Sequence, residues 1–260
     1  MPHRPESAKR RLWTRGELLK TLVLYYQLPF GKMDSRTQAV IELASLIGRT
    51  PSAVALKLVN FASLDPELRG RGVGGMSNSS ATDRSIWNEF YGKWETLAGI
   101  ASGSGMPTDH AVADDFAFPL IPPTGPTEVI AQVMLRRGQG FFRAAVLAAY
   151  DAKCCITGIA SKDLLRASHI IPWSHNTTLR LDPRNGLCLN ALHDAAFDRG
   201  LITLSERFEL KVSKQLQREI PSAIYRQMFE SRIDVPITMP ERFKPTDEMM
   251  EFHRTKVFRN

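Results

Sequence analysis

Cysteine is scarce in this chain: there are 3 in 260 residues, and two of them, Cys154 and Cys155, are adjacent. Such a set cannot form a disulfide framework, and with no leader-like segment ahead of it the expected compartment is a reducing cytoplasm. A structural zinc is not expected either. Cys155-Ile156-Thr157-Gly158 has glycine where a Cys-x-x-Cys pair needs its second thiolate, and Cys188 stands alone. Long apolar runs are also missing, since nothing approaches the roughly 20 residues of a membrane span, and no membrane partner is expected. Acidic residues fall short of basic ones, 27 against 34, for a net charge of +7 and a sequence pI near 9.5. That balance favours a polyanionic partner through salt-sensitive, non-specific attraction to phosphate.

The charge is unevenly spread. Residues 1–100 hold 14 Lys and Arg against 9 Asp and Glu, residues 101–128 hold none against 4, and the remainder holds 20 against 14. The middle stretch is rich in Gly, Pro and Ser and lacks a helical stripe, so it reads as a linker. This divides the chain into a basic domain at 1–100, a linker at 101–128 and a second basic domain at 129–260. The fold class expected is α+β, with a mostly helical first domain.

In the first domain Thr14-x-x-Glu17 is a capping box ahead of Leu18, Leu22 and Tyr26, and Pro29 and Gly31 end that helix. A second helix runs from Thr37 to Gly48. A third opens at Thr50-Pro51 and carries Val54, Leu58 and Phe61. The short Gly48-Arg49-Thr50 join suits a helix-turn-helix with Ser52, Lys57 and Asn60 on its exposed side, and it equally suits an αα-hairpin that only builds a core. Around the first join, Tyr26, Pro29, Lys32 and Arg36, with Arg49 further on, set aromatic and proline surfaces beside bases, which suits a recognition surface and equally suits a helix end packed by aromatics.

Chemistry concentrates between Ala167 and Leu204. Ala167 to Trp173 reads as a strand displaying His169. A polar loop follows, then a helix from about Asn185 to Asp198 carrying His193, Asp194 and Asp198, and then a hairpin. Phosphodiester hydrolysis needs a group to activate water and a cation to neutralise developing charge. A neutral histidine suits the first task, and helix carboxylates or an imidazole suit the second. Asp194 and Asp198, four apart, share a face, whereas His193 lies about 100° round from Asp194. The ligand set is therefore Asp194 with Asp198, or His193, or a mixture. Beyond Val212, Ile220 to Glu230 suggests a further helix, and Pro236 to Pro245 with the basic C-terminus suggests an arm that straps the domain or touches phosphate.

These residues, in SHIIPW, NGLCL and LHDAAFDRG, resemble the HNH endonuclease family over roughly Phe141 to Leu204. The resemblance implies a ββα-metal nuclease domain, with His169 as general base, Asn185 tying the loop and orienting that histidine, and His193 as third member of the signature. It also implies Mg²⁺ or Mn²⁺ as cofactor and double-stranded DNA as partner. Ser168 stands where many members carry a metal-binding Asp, which leaves open a non-catalytic DNA-binding sensor that retains the fold. The first domain resembles the sulfur-recognising module of phosphorothioate-dependent restriction enzymes. That implies a cup of Tyr26 and Pro29 for sulfur, with Lys32, Arg36 and Arg49 on neighbouring oxygens. One site cuts one strand, so a homodimer on DNA is expected.

Overall fold

The structure, a computed structural model, describes residues 11–70, 79–103 and 126–260, and for residues 126–137 their helical backbone alone. Most of the stretch read as a linker, residues 104–125, lies outside the described residues. The N-terminal part is helical: α1 (Arg15–Gln27), α2 (Gln38–Ile47), α3 (Pro51–Ala62), the short α4 (Pro66–Gly70), α5 (Ala81–Phe90) and α6 (Trp94–Gly103). The long α7 (Pro126–Ala149) packs on α1 and α6 on one side and on the first sheet of the second half on the other.

Local chemistry sets these boundaries. The Thr14 hydroxyl and the Glu17 carboxylate cap α1 reciprocally, with the Thr14 N–H donating to Glu17 at 2.8 Å. Gly48 adopts φ +63° after α2, and the Thr50 side chain caps α3 with Pro51 in its first turn. The α2 and α3 axes are bent by 107° at this join, within the range of a helix-turn-helix. The bundle closes around stacked and edge-on rings, Tyr25, Tyr26, Phe61, Trp87 and Trp94.

Several residues expected on a DNA-facing surface belong to this core. Tyr26 is fully buried among Trp87, Trp94 and Phe243, so it forms no sulfur cup. Lys57 and Asn60 point inward and donate to Asp83, at 2.8 and 3.2 Å, tying α3 to α5. Arg49 donates to Glu17 at 2.8 Å and to the Arg11 carbonyl at 2.7 Å. Burial alone would raise the Glu17 pKa, but hydrogen bonds from Arg49 and the Thr14 N–H, with the charges of Arg49 and Arg11, bring it down to about 2. In each case a buried carboxylate draws the base inward. Pro29 is half-buried, while Lys32, Arg36 and Ser52 remain exposed.

The second half contains β1 (Leu165–His169) paired antiparallel with β2 (Gly186–Asn190), then α8 (Ala191–Asp198), the hairpin β3 (Ile202–Leu204) and β4 (Leu210–Val212), α9 (Lys214–Glu219), α10 (Ser222–Met228) and α11 (Asp247–Phe252). Residues 186–190, expected to be helical, form a strand instead. All five are buried, between α7 and α8, so the strand reads as a continuous apolar run without alternation. The first strand begins at Leu165 and ends at His169, where the Ile170 N–H turns to the Asn185 carbonyl. Gly186 is required where α7 crosses β2, because a Cβ there would lie 2.4 Å from Val146 Cγ2.

The Pro236–Pro245 stretch is a strap. The Ile237 N–H bonds Phe208, the Thr238 N–H bonds Cys155 and the Glu241 N–H bonds Ala149 at the end of α7. Arg242, 1% exposed, then donates to the carbonyls of Tyr25 (3.0 Å) and Leu28 (2.6 Å), stacks over the Tyr25 ring, and so caps the C-terminus of α1 from the far end of the chain. Arg242→Ala strands two buried carbonyls, and a loss of about 3 kcal/mol or more is expected in urea denaturation. Unchanged stability would rule out the strap as a clasp.

Candidate active site

β1, α7, α8 and the loop that follows β1 build the site. His169 ends β1 opposite Gly186 and is half-buried. Its ring stacks on Phe142 of α7, with centroids 4.1 Å apart and planes 8° from parallel, and meets Trp173 edge-on at 5.5 Å. His169 Nε2 lies 2.9 Å from the Arg180 carbonyl oxygen. A carbonyl only accepts, so Nε2 carries the proton and the neutral ring keeps its lone pair on Nδ1. Burial lowers the His169 pKa, outweighing the opposite pull of the Arg180 carbonyl, and so favours the neutral ring that a base must have.

Asn185 holds that carbonyl in place indirectly. Its amide oxygen accepts from the Ile171 N–H at 2.8 Å, and its amide nitrogen donates to the carbonyls of Ile171 (3.1 Å) and Leu179 (3.2 Å). The side chain is buried and fully engaged, and it staples the two ends of the loop that carries Trp173 and leads to Arg180. The short helical turn that positions it, residues 183–185, is opened by Asp182, whose carboxylate accepts from the Arg184 N–H at 3.0 Å.

Across the strand, Ser168 faces α8. Its hydroxyl lies 3.4 Å from Asp198 Oδ1, and Asp194 sits one turn earlier on the same face. Loss of hydration and the like charge of Asp194 push the Asp198 carboxyl up to about 6, against the bond from Ser168 and the charge of Arg199. Asp198 reaches solvent, so the crowding is that of a rim and not of a closed core. Among the described residues no three His, Cys, Asp or Glu side chains gather as a metal cluster. The donors here are two carboxylates and a hydroxyl, all oxygen. That set fits a hard cation such as Mg²⁺, which takes one or two protein carboxylates and completes its shell with water and phosphate oxygens.

His193 is elsewhere. It is fully buried, with Nε2 donating to the Met228 carbonyl at 3.0 Å and Nδ1 accepting from Asn190 Nδ2 at 2.6 Å, and Phe229 meets its ring edge-on. Both nitrogens are used within the protein, so the expectation of His193 as metal ligand and third catalytic member is corrected. The reason is helix phase: the turn that aims Asp194 and Asp198 at β1 aims His193 at α10. Asn190, missed in the sequence, caps α8 through Leu192 and His193 N–H groups and also reaches Cys154 Sγ at 3.6 Å. Burial would raise the Cys154 thiol, but hydrogen bonds with His193 and Thr157 and from backbone N–H groups hold it at about 6.

Residues 154–205, from this buried knot to the end of β3, match the sequence model of a family of HNH endonucleases. This stretch is an HNH endonuclease domain, a class of nuclease that generally uses divalent metal and takes DNA as substrate. No curated protein matches the chain.

Two measurements test this geometry. Because the folded-state pKa of Asp198 is raised from 3.8 to about 6, the folded protein holds an extra proton in that interval, and its contribution to stability falls as pH rises through it. The metal-free Asp198→Asn variant should show a flatter decline between pH 4 and 6 in urea titrations. His193→Ala, which orphans Asn190 and the Met228 carbonyl, should cost about 2 kcal/mol or more in denaturation while leaving divalent-metal affinity by calorimetry unchanged. A large drop in metal affinity with intact stability would return His193 to the site.

Proposed function

We propose that this protein is a divalent-metal-dependent DNA endonuclease of restriction type, with His169 as general base. The observation that carries this reading is the 2.9 Å approach of His169 Nε2 to the Arg180 carbonyl oxygen, which assigns the proton to Nε2 and leaves Nδ1 as the base. Nδ1 accepts the proton of a water as that water attacks the phosphorus in line, and the 3′ oxygen leaves opposite it. Phe142 and Trp173 restrict the ring to that orientation, and Asn185 holds the loop whose carbonyl sets it. Ser168, Asp194 and Asp198 would hold the cation, which when bound neutralises charge on the scissile phosphate and the leaving oxygen.

The α1–α2 connection and the start of α3 form the reader in this proposal. Lys32, Arg36 and Ser52 are exposed there beside Pro29, on a helix-turn-helix frame. Phosphorothioate-modified DNA is the proposed target, with sulfur received at the Pro29 end of α1 and without Tyr26. Two copies of the chain acting on one duplex would make a double-strand break.

The test is cleavage of matched duplexes, plain and phosphorothioate-bearing, with Mg²⁺ or Mn²⁺ and with chelator. Metal-dependent cutting is expected, preferring the sulfur-bearing duplex, and His169→Ala should lose about 10²- to 10⁴-fold in rate while binding DNA normally. Wild-type cutting rates in His169→Ala would refute the assignment of the base, and equal cutting of both duplexes would remove the sulfur reader.

A further inference from the structure

Beside the catalytic loop lies a cleft of about 250 Å³ between α6, α7 and that loop, lined by Glu95, Ala98 and Ser102 of α6, Gly138 of α7, and Trp173 and Arg180. It is smaller than the roughly 300–1,000 Å³ of sites that enclose a whole small-molecule ligand, and its size suits a single flat ring system. Trp173 is shared: its ring meets His169 edge-on at 5.5 Å and also lines this cleft, so the cleft begins one ring away from the proposed base.

Arg180 makes the chemistry specific. Its Nε donates to the Trp173 carbonyl at 2.9 Å and its guanidinium lies 5.1 Å above the Trp173 ring, which fixes the group in place. Among the described residues no acceptor takes its terminal nitrogens. Arg49, Lys57 and Arg242, by contrast, are occupied by carboxylates or carbonyls. A preorganised guanidinium with two free N–H edges beside a half-buried indole that lines the cleft is a pairing for a phosphate joined to an aromatic base. Glu95, exposed on the opposite wall, adds an acceptor for an amino group on that base.

We infer that this cleft is a nucleotide subsite next to the scissile phosphate: Trp173 stacks the neighbouring base, Arg180 holds the neighbouring phosphate, and Glu95 favours bases with an amino edge. The inference rests on the endonuclease reading and adds to it a place where the nuclease domain itself, together with α6 of the helical bundle, grips the strand being cut.

The experiment uses the full chain with chelator present and duplexes in which thymine is replaced by 5-iodouracil, a probe that crosslinks to stacked aromatic side chains under long-wavelength light, followed by peptide mapping. The expected adduct is on Trp173. Trp173→Ala should weaken binding about tenfold without changing its salt dependence. Arg180→Ala should reduce the slope of log affinity against log salt by about 0.9, and Arg180→Lys should restore it, a charge-specific readout that a folding defect would not produce. DNA binding with adducts only elsewhere and an unchanged slope in Arg180→Ala would overturn the subsite while leaving the nuclease reading intact. An adduct on Trp173 in a protein that cuts nothing in Mg²⁺ or Mn²⁺ would sustain the subsite and overturn the nuclease reading. Absence of DNA binding would overturn both.

Discussion

The Asn185 amide makes three hydrogen bonds, to Ile171 on one side of the catalytic loop and to Leu179 on the other, and the placement of the proposed base depends on them. The loop between them has little buried apolar surface of its own, with Ser174, His175, Thr177 and Thr178 exposed. A segment of that kind is ordered by its anchors, because its backbone entropy is not offset by packing. With the anchors in place the Arg180 carbonyl becomes a fixed acceptor, the imidazole proton is committed to Nε2, and Nδ1 is left basic. In that proposal Asn185 acts at one remove, through backbone, and both of its amide N–H donors are already engaged by the loop.

The same logic recurs where bases were expected to face DNA. Lysine and arginine carry long apolar stems, so a helical pattern alone does not tell whether the charge reaches solvent or folds back onto a neighbour. Asp83 settles the matter for Lys57 and Asn60: its carboxylate already caps α5 in a capping box with Ser80, and it takes two further donors from α3. Glu17 does the same for Arg49. A buried carboxylate stranded without these partners would be heavily penalised, so the bases are committed to registry of the helices and contribute nothing to the outer surface.

What could be read in the sequence and what could not divides along this line. Signals confined to one element were legible: the Thr14-Glu17 capping box, the Thr50-Pro51 helix start, His169 on a strand and Asn185 in the turn before the next element. The first strand, the helix carrying Asp194 and Asp198 and the hairpin after it were legible as element types. The second strand was not, because Leu187, Cys188 and Leu189 are buried on both faces and an apolar run without alternation fits helix and strand alike. The direction of His193 was within reach, since its 100° offset from Asp194 already separates the two. Arg180 and Phe142 carried no signal, because their roles come from a backbone carbonyl and a crossing helix that only tertiary structure supplies. Neither did Arg242, whose partners are more than 200 positions away in the chain.

That last contact changes what kind of instrument this protein is. Two units joined only by a flexible tether would sample many separations, and the distance between the place gripped and the place cut would vary with linker length. Here α7 lies against both the helical bundle and the nuclease sheet, and the strap returns from the nuclease side to lock Arg242 under α1. In the proposed reading the assembly would act as a caliper: with α7 and the strap fixing the separation of bundle and nuclease domain, a grip by the bundle would set the bond presented to His169 at one offset along the duplex.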